Sequence, residues 1–361
     1  MQLISLYLKN FRCFSEKYIE LDNPLVLLQG LNGSGKTSLI EAMHYLCYLR
    51  SFKTHSPRDL LHFGQENFFL KAAIRPSCAY DELTHELQVG YSGKKRLVKI
   101  NQQTVVSYKD LMEHYRVVTL TEDDGDLVKS GPEARRSFID QALVLEDPAI
   151  ASPLRMLKHL VESRNALLNG GGANAQSLEI WTHKVWEQTA VVRQARKALL
   201  FKLETEVVRI LASIDETLQV AFRYLPKNID TDLTFEQFMD SSRALFSEEA
   251  RYGRSLFGAH LDDFSITLQD RLTRQFASRG QQKLLVLLLK IAQVTHLMSN
   301  RGSVIFLLDD FITDFDDRRA LQLLSPLIAL GGQLIFTCPS MAGALHNQLA
   351  SRDAKIVTLT D

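Results

Sequence analysis

The sequence predicts an α/β fold in which one α/β head is assembled from both ends of the chain, with a mainly helical lobe inserted between the halves. Three observations predict it. Short extended segments crowd the first third, 3.6-residue apolar periodicity takes over from about residue 130, and extended segments return after residue 263.

Residues 3–8 alternate apolar with other residues, 18–21 form a second short extended run, and 25–29 form a third that is continuously apolar. A glycine-rich turn follows. Residues 37–49 then repeat Leu39, Ile40, Met43 and Leu46 at helical spacing, which completes a strand, loop and helix. Further strands are expected at 68–74, 85–90, 97–100 and 117–120, broken by Pro57, Pro76 and Gly93. Helical periodicity covers 133–143, 151–168, 178–222 and 234–249, interrupted by the Asn169-Gly170-Gly171-Gly172 loop and the turn at Pro226. Residues 264–268 read as a strand, 281–298 as a long apolar helix, and 304–308 and 333–337 as strands. The head is therefore expected at 1–125 plus 251–361 and the helical lobe at 126–250. No heptad run persists through several repeats, so no long coiled coil is expected.

With 361 residues, 45% of them hydrophobic and 23% charged, the chain has the composition of a soluble globular protein of about two domains. Lys+Arg and Asp+Glu both number 42, so there is no global basic field, and any contact with nucleic acid must come from a local patch. Cys13, Cys47, Cys78 and Cys338 form no C-x-x-C pair, which argues against a zinc site or a disulfide framework and fits a cytoplasmic protein. Residues 1–10 lack the basic start and apolar core of a secretion signal. The apolar run 284–289 is far too short to cross a bilayer, so no membrane partner is expected.

Gly30-Leu31-Asn32-Gly33-Ser34-Gly35-Lys36-Thr37 matches G-x-x-x-x-G-K-[ST], between a strand and a helix as that motif requires. Glycines let backbone N–H groups approach phosphate oxygens, and the helix start adds its positive dipole end. Lys36 can reach the β- and γ-phosphates, and the Thr37 hydroxyl is a hard oxygen ligand for Mg²⁺. The segment 304–308 ends in Asp309 and Asp310, where open α/β sheets place their ligands. Asp309 would hold Mg²⁺ and Asp310 would orient the attacking water; the plain alternative is a pair of exposed acids capping a following helix. Ser278-Arg279-Gly280-Gln281-Gln282 precedes the helix 281–298. Ser278 reads equally as its N-cap or as a ligand of a γ-phosphate.

A P-loop near the start, an S-x-G-Q-Q signature far downstream and an apolar strand ending in two aspartates resemble the split heads of ATP-binding-cassette ATPases. Within that class the chain resembles the RecF family of bacterial DNA replication and repair proteins. The resemblance is carried by Leu8-Lys9-Asn10-Phe11-Arg12, by Asp126-Leu127-Val128-Lys129 with Pro132-Glu133-Ala134-Arg135-Arg136-Ser137-Phe138-Ile139-Asp140, and by Ser163-Arg164-Asn165-Ala166-Leu167-Leu168. It continues in Gly258-Ala259-His260-Leu261-Asp262-Asp263, the Ser278 signature, and Asp309-Asp310 leading to Asp314-Phe315-Asp316. It implies an ATP-binding-cassette fold with a discontinuous head, and a head-to-tail homodimer that sandwiches ATP and Mg²⁺. Ser278 of one subunit would cap the γ-phosphate held by Lys36 of the other. Arg12, Ser38, Gly280, Gln281 and Asp316 would join the P-loop residues around the nucleotide. It also implies slow, DNA-stimulated ATP hydrolysis, a clamp on gapped DNA or single-strand/double-strand junctions, and mediator partners of the RecR and RecO type that load the recombinase.

Three stretches depart from the family pattern. The usual Phe-Ser-Pro-Glu-Asp-Leu reads Leu120-Thr121-Glu122-Asp123-Asp124-Gly125, Gly-Pro-His-Arg reads Gly258-Ala259-His260-Leu261, and Thr337 stands where many relatives place a switch histidine. Candidate DNA surfaces are the basic stretch 251–290 (Arg251, Arg254, Arg271, Arg274, Arg279, Lys283, Lys290), the cluster Lys94, Lys95, Arg96 and Lys99, and Arg193, Arg196, Lys197 and Lys202 on a helix; each is equally readable as a solvated face. His260 with Asp262 and Asp263 suggests hydrogen bonding more than a metal corner, and Trp181 and Trp186 suggest packing. A transporter ATPase subunit is disfavoured by the shortened signature and by Asp310 in place of Glu. A long-armed chromosome-organising ATPase is disfavoured by the missing heptads and zinc hook. A nuclease-fused ATPase would need a further acidic domain.

Overall fold

A computed structural model describes residues 1–76, 84–93, 95–105, 111, 114–170, 175–228, 233–310, 315, 317–339, 348–349 and 351–359. The chain divides into two units, Met1–Gly125 with Arg279–Asp361, and Asp126–Ser278. Residues 251–278, assigned to the head on sequence, therefore belong with the helical unit. The strand Asp263–Leu268 among them is paired with strand Val220–Leu225 of that unit, which ties the segment there.

In chain order the strands are β1 (Gln2–Phe11), β2 (Phe14–Glu20), β3 (Leu25–Gly30), β4 (Asn67–Arg75), β5 (His85–Ser92), β6 (Lys95–Ile100), β7 (Gln103–Thr104), β8 (Val117–Leu120), β9 (Val220–Leu225), β10 (Asp263–Leu268), β11 (Arg271–Leu272), β12 (Ile305–Leu308), β13 (Gln333–Pro339) and β14 (Lys355–Leu359). The head carries two sheets. One is antiparallel, in the order β2-β1-β4-β5-β6-β7; the other is parallel, in the order β14-β3-β13-β12-β8. The alternating burial of β4 is what one solvated face demands, whereas β12 and β8 are buried at every residue, as in a parallel sheet covered on both sides.

One buried amide joins the two sheets. Gln333 accepts from the Leu3 N–H at 2.7 Å and donates to the carbonyls of Leu3, Leu21 and Asn23 at 2.9, 2.8 and 3.1 Å. Because its donor and acceptor ends are both used, it can be buried without the cost of an unpaired polar group.

The second unit is built on helices Pro132–Glu146, Ala151–Asn169 and Ala175–Ile214. The expected helix 178–222 stops at Ile214, and the end of the expected span enters β9, whose alternating Val220 and Phe222 extend the apolar pattern of the helix. The expected helix 234–249 is two, Phe235–Ser241 and Arg243–Tyr252, with Ser242 between them. Trp181 and Trp186 pack against the cluster of Leu157, Val185, Phe238 and Phe257.

Arginines fix this unit from within. Arg164 is fully buried and donates to Glu249 at 2.5 Å, to Ser255 at 2.8 Å and to Thr182 at 2.9 Å, while stacking over Phe257. Arg193 forks onto Asp262, Arg196 onto Asp140, and Arg135 onto Asp263, each with both contacts between 2.6 and 2.9 Å. Tyr224 and the Lys227 N–H also donate to Asp262. The planar fork of Arg makes such two-point pairing possible where Lys would not.

Removing one member of a buried pair leaves the other charged and dry, so Arg164→Met is expected to cost about 3–5 kcal/mol. The cost is read as a lower midpoint in denaturant unfolding of the whole chain. An Arg164→Met, Glu249→Leu double variant should recover much of the loss.

Candidate functional site

Strand order places the chemistry. β3 ends in the P-loop, β12 ends at Asp309, and β13 lies between them, so Thr337 of β13 stands beside both. All three strands are parallel, which puts their C-terminal ends on one edge of the sheet.

The loop has the backbone its glycines allow. Gly33 and Gly35 have φ of 90° and 91°, in the left-handed region. A Cβ on Gly35 would also lie 2.4 Å from the Phe14 ring and 2.7 Å from Cys13 Sγ, so the turn between β1 and β2 braces the loop from behind. Helix Lys36–Tyr48 begins at Gly35 with no side-chain cap, which leaves its first N–H groups to an anion. Lys36 is 4% exposed and donates to the carbonyls of Gly30 at 3.0 Å and Leu31 at 3.1 Å; the third ammonium proton remains for a ligand. Ser34 Oγ is buried without a partner among the described residues.

Four oxygens meet at the strand ends. Thr37 donates to Asp309 Oδ1 at 3.1 Å. Thr337 Oγ1 lies 2.9 Å from Asp309 Oδ1 and 3.3 Å from Asp310 Oδ1, and accepts from the Asp310 N–H at 2.8 Å. One hydroxyl proton can serve only one carboxylate at a time. Burial pushes the Asp309 carboxyl above its usual range; hydrogen bonds from Thr337 and Thr37 and the charge of Lys53 oppose that, while Asp310 reinforces it. A buried carboxylate with an adjacent hydroxyl, an orphaned serine oxygen and uncapped helix amides together fit a magnesium nucleotide.

Arg12 sits in the turn after β1 and forks onto the buried Glu41 of the P-loop helix, both contacts at 2.7 Å, and donates to the Asp59 carbonyl. Its guanidinium is thereby committed to bracing that helix. Ser38 faces Cys13 at 3.8 Å. Ser278 immediately precedes helix Arg279–Arg301, and Gly280 and Gln281 lie in its first turn. Asp314 and Asp316 lie outside the described residues, as do Cys78 and Lys94. The altered 121–125 loop retains its own cap: Asp124 accepts from the Thr121 N–H at 2.8 Å and pairs with Lys290 at 2.8 Å. Thr121 and Asp124 stand at the family's Ser and Asp, so the sequence departures spare the pair that shapes the turn.

Burial sorts the basic surfaces. Arg193 and Arg196 are buried in ion pairs, so that half of the third candidate DNA surface is corrected to a structural role, while Lys197 stays exposed and Lys202, also exposed, pairs with Glu146. Lys290 is engaged by Asp124 and the Thr119 carbonyl. Arg251, Arg254, Arg271 and Arg274 stay exposed, with Arg251 over the exposed Tyr252 and Arg271 over the exposed Phe276. No group of three metal-ligating acids, histidines or cysteines occurs among the described residues, and Asp262 and Asp263 serve the arginines. No helix among them is long and apolar enough to cross a membrane.

Thr337 was legible only as a missing histidine, because its partners are set by strand order. Lys53, whose charge reaches Asp309, carried no sequence signal.

Residues 2–348 match the RecF/RecN/SMC N-terminal domain family. A DNA replication and repair protein RecF of Geotalea daltonii is 30% identical over 350 residues, 94% of either chain. That of Leptospira interrogans serovar Lai is 30% identical over 352 residues, 95% of this chain and 93% of the relative. Among solved structures, the recombination mediator protein RecF with ATP, of the RecFOR pathway, superimposes with a TM-score of 0.82 at 25% identity, over 94% of this chain and 92% of that one. An Smc head bound to the C-terminal winged-helix domain of ScpA gives a TM-score of 0.57 at 12% identity, over 99% and 94%, which is a likeness of fold.

A carboxyl held above its usual range is a cost to the folded state once it ionises. Asp309→Asn is therefore expected to raise the thermal midpoint of the nucleotide-free protein at pH 7, by roughly a few degrees. The gain should vanish below about pH 3, where Asp309 is protonated in folded and unfolded chains alike. Calorimetry across that range checks both the gain and its sign.

Proposed function

The chain belongs to the RecF family of DNA replication and repair proteins, and from that membership and the carboxylate pair beside the P-loop we propose an ATP-switched DNA-binding protein of recombinational repair. The observation that carries the reading is the meeting of Thr37, Asp309, Asp310 and Thr337 at the sheet edge that also holds the P-loop.

In this reading the loop amides and Lys36 bind the nucleotide phosphates. Thr37 and Asp309 hold Mg²⁺, which when bound offsets phosphate charge. Asp310 orients and polarises the attacking water, and Thr337 keeps the two carboxylates apart in role. Ser278 and the following helix start present a second copy's cap to the γ-phosphate, so closure of two heads depends on ATP. The nucleotide site is completed only by groups from both chains, which links ATP hydrolysis to reopening. ATP turnover is slow and stimulated by DNA. The closed form clamps gapped or junction DNA, with the exposed Arg251, Arg254, Arg271 and Arg274 as phosphate contacts, and hands it to RecO- and RecR-type mediators in the cytoplasm.

Asp310→Asn should lower ATP turnover by about 10²–10⁴-fold while leaving ATP binding intact. At about 0.1 µM with ATP and Mg²⁺ the variant should run at twice the monomer mass in light scattering and raise the anisotropy of labelled gapped duplex, and at that concentration it should do neither with ADP. A variant that dimerises with ATP but leaves the DNA anisotropy flat would overturn the clamp and move DNA contact to a protein partner.

A further inference from the structure

The 40-residue helix Ala175–Ile214 buries one side in its own unit, through Val192, Leu199, Leu203, Val207 and Ile210. Its outer side carries Val191, Gln194, Ala198, Phe201, Thr205, Val208 and Ala212, and all seven are exposed. They are spaced three and four residues apart, which is the a/d stripe of a helix that packs against another. None is charged. An outward helix face is ordinarily the charged one, yet Phe201 is 70% exposed, Val191 46% and Val208 44%.

The stripe is complementary to itself. Antiparallel pairing with a two-fold axis between Leu199 and Leu200 sets every a position against a d position. Val191 then meets the partner's Val208, Gln194 meets the partner's Thr205, and Ala198 meets the partner's Phe201; the two-fold repeats all three. Large faces small at the centre, two amide–hydroxyl layers flank it, and valines close the ends. The flanks agree. Lys197, exposed over the Tyr224 ring, and Glu204, half-buried and accepting from the Phe222 N–H at 2.8 Å, occupy the same flank, so the two-fold brings each Lys197 to the side of the partner's Glu204. A parallel pair would instead set Lys197 by the partner's Lys202, like against like, and Glu204 by the partner's Arg209, so its repulsive and attractive flank contacts offset, whereas the antiparallel register has only the attractive one.

We propose that this stripe is a self-association surface, through which two copies of the chain pair antiparallel along helix Ala175–Ile214 without nucleotide. This contact is separate from the nucleotide-sandwiched closure of the heads and stands whether or not that closure occurs. Six layers span about 27 Å of helix at about 1.5 Å per residue. A helix pair of that length lies at the low end of specific interfaces, near about 1,000 Å², so the association is expected in the micromolar range.

Sedimentation equilibrium of the full chain with EDTA and no nucleotide, taken to about 100 µM, tests it directly. Wild type and Lys36→Ala should both approach twice the monomer mass. Phe201→Glu and Ala198→Lys, both at exposed positions and checked for unchanged melting, should each weaken pairing at least about tenfold. The double variant Ala198→Lys, Phe201→Glu sets opposite charges across both central layers and should recover most of the loss, as only the antiparallel register allows. A wild-type chain that stays monomeric overturns the proposal. So does a dimer indifferent to Phe201→Glu, and so does a monomeric wild type whose Phe201→Glu variant loses gapped-DNA binding, which would give the stripe to nucleic acid.

Discussion

Two adjacent carboxylates at the end of a buried strand set the terms for the rest of the head. Like charges so close are tolerable only where something divides their roles, and the fold supplies it by inserting β13 between the P-loop strand and the carboxylate strand. Thr337 is thereby placed where one hydroxyl touches both acids, and Thr37, at the first turn of the next helix, reaches Asp309. The parallel sheet cannot be rearranged without separating these groups. Gln333, at the other end of β13, anchors that strand to the antiparallel sheet through four hydrogen bonds, so the strand carrying the divider is held at both ends.

The helical unit shows a different use of charge. The Arg135-Arg136, Arg164-Asn165 and Asp262-Asp263 motifs that mark the family in sequence are joined to one another in space: Arg135 to Asp263, Arg193 to Asp262, Arg136 to the Asp262 carbonyl, and Asn165 to Ser255 beside Arg164. These residues hold the unit together without contacting a nucleotide-binding group of their own unit. Their distinctiveness comes from geometry, since a forked guanidinium fully satisfied by a carboxylate tolerates no near substitute.

The parts legible in the sequence were those with local causes. The P-loop declares itself through glycine spacing, and β12 through an unbroken apolar run. Charge is visible in sequence and burial is not, so Arg193 and Arg196 looked like a phosphate-binding face until their acid partners, Asp262 and Asp140, were seen 69 and 56 residues away. The boundary near residue 251 failed for a similar reason: β10 belongs to the helical unit by virtue of its pairing with β9, a strand whose apolar alternation was absorbed into a helix. Thr337 could be read only by knowing its neighbours in the sheet. The stripe on helix Ala175–Ile214 was hidden because alanine, threonine and glutamine fill half of it.

The order of the parallel sheet also constrains how the chain is made. β3 carries the P-loop, yet its two neighbours are β13 and β14, so the strand emerges from the ribosome some 300 residues before either partner exists. Throughout that interval both of its edges are open, while the helical unit, contiguous from Asp126 to Ser278, contains within itself the partners of β9, β10 and β11 and of Arg135, Arg164, Arg193 and Arg196. Synthesis should thus complete the insert first and the head last, with loop closure over most of the chain as the slow step. Until β13 arrives the nucleotide loop has no sheet to stand on, and a chain truncated before β14 would leave the other edge of β3 open, an apolar edge suited to aggregation.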